Sequence, residues 1–335
     1  MNRASLIFAA LLVVLVPLSL LAGRVWIDPF DIAGGGIANA ALILAELRLP
    51  RAVLAIIIGA GLGAAGAAMQ GYLRNPLADP GLFGIAPMAA LGAVASFWLG
   101  ALIPPAWAAW SLPLLALIGA GTGMALLALI AGRTSSDAAG GAGGGIALFT
   151  LAGLMIASLA GALTALAITL APNPFALSEI VMWLNGALTD RSWREVMLAA
   201  PLVAAGIAVL ALAARSLDAL TLGEDAARSM GLNPARLLAL LVIGVGLTVG
   251  AGVAVAGIIG FVGLVVPHLV RPLTDRLPSS LIGPSALAGA CLVLAADSIV
   301  RVLPLVTELR LGIALSLIGA PFFGWLLLRM RRVGL

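Results

Sequence analysis

The sequence predicts an all-α polytopic membrane protein with ten transmembrane helices, residues 1–335 forming a single membrane domain. Of the 335 residues, 62% are hydrophobic and only 10% charged, against roughly a quarter charged in a soluble domain. Apolar runs long enough to cross a bilayer recur along the whole chain. The polar residues fall between those runs, so no stretch has the composition of a separate soluble domain.

Nine runs meet the length requirement, at 4–22, 52–72, 84–103, 111–131, 146–170, 196–214, 237–256, 284–303 and 312–329. The first follows a basic residue as a signal peptide would. It lacks a small-x-small cleavage site before a soluble domain and reads as an uncleaved span. Residues 257–270 (GIIGFVGLVVPHLV) are a tenth candidate, although as a helix they would reach only ~21 Å of a ~30 Å hydrocarbon core. Parity includes them. With ten crossings both termini are cytoplasmic, and Arg24, Arg48, Arg51, Arg191, Arg194, Arg301 and Arg310 lie outside, against eleven other arginines inside.

The breaks between runs carry their own signals. Residues 71–84 (GYLRNPLADPGLFG) stop a helix, and Pro76 and Pro80 forbid its continuation while Asn75 and Asp79 can take up freed amides in local turns. Residues 171–190 are a second break, with a short surface helix expected over 178–188. Residues 135–145 read as a Gly-rich cytoplasmic loop.

The segment 219–236 (ALTLGEDAARSMGLNPAR) is the most structured of the polar stretches. Glu224 and Asp225 open a short helix over 222–230, Arg228 lies late in it, and Gly231 stops it before Asn233-Pro234. A plain connection needs only a few polar residues. A capped helix bearing both signs of charge reads either as a cytoplasmic docking surface or as an amphipathic helix on lipid.

Four runs carry a small residue at every fourth position, among them Gly59, Gly63, Ala67 and Gly71; Gly153, Ala157 and Gly161; and Gly312, Ser316, Ala320 and Gly324. Such stripes permit close helix packing and would equally line a weakly polar cavity. Their recurrence points to an internal repeat, 52–170 against 237–329.

Several chemistries are excluded. All 18 basic residues are arginine, so the chain has no lysine for a phosphate-binding P-loop or a Schiff base. One cysteine, Cys291, permits no intrachain disulfide. His268 is a lone histidine best read as structural, and no HExxH or cysteine pair suggests a metal. Asp297 and Arg301 stand one turn apart and read as a local ion pair. Arg48 and Arg51 flank Leu49-Pro50. Together with Arg301 they are expected to point outward, either to grip carboxylates of a partner or ligand or to anchor helices at the interface.

Several stretches resemble the FecCD/BtuC-type permeases, the membrane subunits of ATP-driven importers of iron-siderophores, haem and cobalamin. They are RLPRAVLAIIIGAGLGAAGAAMQGYLRNPLADPGLFGI (48–85), LGEDAARSMGLNPARL (222–237), GIIGFVGLVVPHLVR (257–271), ADSIVR (296–301) and TELRLGIALSLIGAPFFGWLL (307–327). They run in family order over nearly the whole chain. One departure is Arg310, where the family's Glu-Leu-Pro turn has proline.

The resemblance implies a BtuC-like fold in the cell inner membrane, working as a homodimer with two cytoplasmic ATPase subunits and a periplasmic substrate-binding protein. No cofactor is expected on this chain, since ATP and Mg belong to the partner ATPase. Leu222, Gly223, Glu224, Asp225, Ala227, Arg228 and Gly231 would couple to that ATPase. Arg48, Arg51 and Arg301 would meet the binding protein. Gly153, Ala157, Ser158, Gly161, Gly312, Ser316 and Ala320 would line the translocation path, with Met155, Met182 and Trp183 nearby. The rival from another class is a secondary carrier driven by an ion gradient, which needs ionisable groups near the bilayer midplane. The runs hold none there.

Overall fold

The structure, a computed structural model, describes residues 3–28, 39–136 and 144–332. Most of the expected loop 135–145 therefore lies outside the described residues. Those residues form helices and irregular connections, with no strand among them.

Helix α1 (Arg3–Leu21) is followed by a π-helical turn, Ile43–Arg48, that runs into α2 (Leu49–Tyr72). Next come α3 (Ile85–Leu99), α4 (Pro105–Ser136) and α5 (Gly144–Thr169). The short α6 (Pro174–Leu184) precedes α7 (Trp193–Leu220), the six-residue α8 (Glu224–Ser229) and α9 (Pro234–Ala256). The chain ends with α10 (Val262–Val270), α11 (Pro278–Val302) and α12 (Leu311–Arg332).

Helices α2 and α9 are largely buried and form the centre of the bundle, while α1, α5 and α12 keep broad apolar faces exposed. That exposure is ordinary for a membrane protein, whose surrounding solvent is hydrocarbon. The closest packing joins α2 to α11 through the small-residue stripe and to α10 through Gly66. A Cβ on Gly66 would stand 1.9 Å from the carbonyl oxygen of Gly263, and one on Gly63 2.0 Å from that of Ser285. No residue with a side chain fits there.

Among the described residues, eight helices are long and apolar enough to cross a membrane, and α3 and α10 are shorter. Both short helices are preceded by irregular segments. Residues 257–261 are not helical: Gly257 has a positive φ of 74° and abuts Trp183 and Gly186, near the start of α12, and Phe261 turns left-handed at φ 66°. From there α10 runs to Arg271, which lies beside Gln70 near the end of α2. Five irregular residues reach up to about 16 Å, and nine helical ones add about 14 Å, together a hydrocarbon thickness of ~30 Å. The first half holds a counterpart. After α2 the chain turns back into the bundle, so that Pro80 rests on Gly263, and α3 starts only at Ile85 after Gly84 at φ 80°. Asn75 and Asp79 accept from the amides of Leu77 (2.9 Å) and Gly81 (2.7 Å), as the turn chemistry predicts.

Two boundaries differ from the sequence reading. The helix expected over 178–188 is α6 at 174–184, because Asn173 caps it through Ala176 N and Pro174 occupies its first turn. Its Ile180 and Trp183 are buried, so it is not merely a surface helix. The helix expected over 222–230 is the shorter α8, since Gly223 (φ 103°) and Gly231 (φ 88°) confine it.

Candidate functional site

Ionisable groups gather at the two ends of the bundle. At one end lies α8. Ala227 is fully buried against the body of the protein and anchors it, while Leu222 and Met230 on its flanks are each 65% exposed. Glu224 faces Arg74 at 4.0 Å and Arg228 at 3.8 Å, whereas Asp225 and Arg228 lie on the exposed side. Asn233 caps α9 by accepting from Arg236 N at 3.0 Å. The result is a small knob with two large apolar side chains and both signs of charge on its surface. Loops contacting only water have no reason to present it.

At the opposite end the three candidate arginines do not point outward. Arg51 donates its Nε to both oxygens of Asp297 at 3.0 Å and its Nη2 to Asp297 Oδ1 at 2.8 Å, and it also pairs with Glu308. Arg301 meets Asp297 at 3.2 Å, the local pair expected from the spacing, and donates to the Ser19 hydroxyl at 2.7 Å. Arg48 closes the C-terminus of α1 by donating to the carbonyls of Leu20 and Leu21 at 2.8 Å. The physical reason for the inward turn is charge compensation: a buried carboxylate such as Asp297 demands cations, and the cations demand it. Burial acts to raise the Glu308 carboxyl, but the hydrogen bond and charge of Arg51 outweigh it and hold the group below the usual glutamate range. Sequence reasoning missed Glu308, Ser19 and Thr189, whose hydroxyl lies 3.5 Å from Glu308.

The expected path residues run from buried to open. Gly153 and Gly312 are packed against Phe83 and Asn185, whereas Ala157 and Ser316 are half-buried, and Ser158, Gly161 and Ala320 lie open on the faces of α5 and α12. Met155 and Met182 are exposed and Trp183 is buried. A cavity of about 450 Å³ lies where the two irregular segments meet, between Asp79-Pro80-Gly81 and Gly257–Phe261, with Phe323 of α12 on its wall. Irregular backbone at such depth is tolerated only inside protein or beside a cavity. The signal that would have found it is the pair of Gly/Pro interruptions at matching places in the two halves. Among the described residues no group of three or more His, Cys, Asp or Glu is arranged to hold a metal ion.

A bundle of apolar helices with two irregular segments meeting beside a cavity is the architecture of a membrane transport protein. The chain belongs to the FecCD transport family, which matches residues 11–329. It is 36% identical over 286 residues to the hemin transport system permease protein HmuU of Yersinia pestis, covering 85% of this chain and 83% of that one. It is 36% identical to the Fe(3+)-citrate import system permease protein YfmE of Bacillus subtilis, over 97% and 94% of the two chains. The vitamin B12 import system permease protein BtuC of Salmonella typhi is 37% identical, over 99% and 97%. A chain from a solved structure, described as an inward-facing conformation of a metal-chelate type ABC transporter, superimposes with a TM-score of 0.85 at 28% identity, covering 97% of this chain and 98% of that one. The fold is thus BtuC-like, and the family is one of transport permeases of the inner membrane.

Proposed function

We propose that this chain is the permease subunit of an ATP-binding-cassette importer that moves an iron chelate, haem or cobalamin from periplasm to cytoplasm. The observation that carries the reading is the knob at 222–230, built and exposed as a docking element at one end of a transport bundle. Leu222, Gly223, Glu224, Asp225, Ala227, Arg228 and Gly231 couple the bundle to a separate ATPase, which binds the ATP and Mg. The knob then marks the cytoplasmic end, and both termini lie on that side of ten crossings. Two copies pair, and their exposed α5 and α12 faces, with Ser158, Gly161, Ser316 and Ala320, line a weakly polar path between them.

A periplasmic binding protein sits over the rim built by Arg48, Arg51 and Arg301. Closure of two ATPases on ATP moves the knobs and opens the path to the other side, an alternating-access cycle in which differential stability of two states, not covalent chemistry, moves the solute. A secondary carrier is less well supported. The best-buried carboxylate, Asp297, is compensated by two arginines at the rim and is not poised to exchange ions at the midplane.

The test is the Glu224→Arg/Asp225→Arg double variant in the complete complex reconstituted in liposomes. Solute uptake is expected to fall to background while the permease still inserts, and ATP hydrolysis should no longer respond to the loaded binding protein. Uptake and stimulated hydrolysis both at wild-type levels would remove the coupling role.

A further inference from the structure

We propose that the end of α10 and the last turns of α12 form a headgroup site for an anionic phospholipid. Five of the described arginines pair with a carboxylate: Arg51, Arg194 and Arg301 at one end, Arg74 and Arg228 at the other. Arg271 and Arg329 have none among the described residues, and Arg276 adds a third uncompensated charge beside Arg271. The carboxylate nearest in sequence, Asp275, is turned away onto the Ser280 hydroxyl and the Leu277 amide.

The cluster is built rather than loose. Arg271 donates to Gln70 Oε1 at 2.9 Å, and Gln70, itself buried, is fixed by donating to the Leu264 carbonyl at 3.1 Å. With that side chain held, its Nε is shut from solvent and has no hydrogen-bond partner. Nδ1 of His268 is in the same condition, one helical turn earlier and within electrostatic reach of both Arg271 and Arg329. The His268 ring stands edge-on to Phe322 at 6.2 Å, Phe322 lies 5.8 Å from Trp325, and the Arg329 guanidinium sits 5.4 Å over the Trp325 ring. Three cations without a carboxylate partner among the described residues, one of them stacked over Trp325, favour an anion.

The surroundings select a lipid over a soluble anion. Leu269, Leu273 and Leu328 beside the cations are all exposed, which in a bilayer places acyl chains against them while the cations reach the headgroup level. Aromatic rings next to arginine at a helix end are the usual furniture of that interface. The inference needs only that this end of the bundle borders the membrane surface, and it is independent of the cargo.

The test uses the full-length chain in mild detergent, with retained lipid counted by native mass spectrometry after exchange into phosphatidylglycerol or phosphatidylcholine. Phosphatidylglycerol should be retained preferentially, with retention falling about fivefold for each arginine removed in Arg271→Gln and Arg329→Gln. Arg329→Lys should keep most of it. Because Arg271 also contacts Gln70, the exposed Arg329 serves as the variant least able to disturb folding. Equal retention of both lipids, or unchanged retention in Arg329→Gln, would overturn the proposal. Complete displacement by millimolar inorganic phosphate would make the cluster a soluble-anion site and overturn it too. So would wild-type lipid retention in Arg329→Gln accompanied by weakened association with the ATPase, which would move the cluster to the partner interface.

Discussion

At the scale of single residues, Asp297 is the charge on which one end of the bundle depends. It is fully buried and is approached by Arg51 from α2 and by Arg301 from its own helix. Removing one member of a buried pair costs about 3–5 kcal/mol, because the remaining charges stay buried without compensation. Asp297→Ala is therefore expected to lower the thermal midpoint of the detergent-solubilised chain strongly, with Glu308→Gln a milder change.

Glu308 also brings a pH dependence. Its carboxyl is held below the ordinary value of 4.5, so its ion pair contributes stability above that value and loses it as pH falls through the lower folded value. Thermal midpoints measured between about pH 5 and pH 3 should drop more steeply in the wild-type chain than in Glu308→Gln. Parallel curves would show that Glu308 contributes nothing there. This site was only half legible in the sequence. The Asp297–Arg301 pair follows from one-turn spacing, but the partners of Arg51 lie 246 and 257 residues further along the chain. Local pattern cannot bring such groups together; only the packing of α2 against α11 does.

At the scale of elements, the long helices were legible because hydrocarbon leaves the backbone little choice. Uninterrupted apolar runs became helices whose ends differ from the runs by a few residues. What was hidden is the shape of 257–270. Hydropathy sees an apolar run too short for a membrane, and the solution, an irregular lead-in bent at Gly257 and Phe261, is set by the φ values of two residues. The lead-in packs on Gly186 and Gly312, and α10 beyond it meets α2 in backbone contact at Gly66 and Gly263.

That contact yields a prediction. Gly66→Val would drive a side chain into the Gly263 carbonyl, where even a Cβ would stand at 1.9 Å, and overpacking of this kind costs typically ~1–3 kcal/mol or more when backbone must shift. Reduced yield of folded protein and a lower thermal midpoint are expected. Gly283→Ala is the control, since nothing lies within 4 Å of its added Cβ. Equal loss from both variants would mean that glycine in these helices matters for reasons other than the contact with α10.

At the scale of the whole molecule, the sidedness of the bundle follows from 257–270. If that segment crosses, α11 starts on the side of α8 and every later position keeps that sense; if it does not, α11 and α12 invert. The structure places Ser279 N 2.8 Å from Asp218 Oδ1, joining the start of α11 to the end of α7 and hence to the knob. Phe175, at the start of α6, is 83% exposed at the other end. Cysteines at these two positions, introduced after Cys291→Ser, should thus report opposite sides of the membrane. In intact cells an impermeant thiol reagent is expected to label Phe175→Cys readily and to leave Ser279→Cys unlabelled until the membrane is permeabilised. Both positions are open on the protein surface, so protection of Ser279→Cys cannot come from burial in this chain, and permeabilisation separates the bilayer from a covering ATPase as its source. Labelling of Ser279→Cys from outside would invert the sidedness of α11 and α12. The knob would then no longer share a compartment with the start of α11, and its role as the element that meets an ATPase would fall.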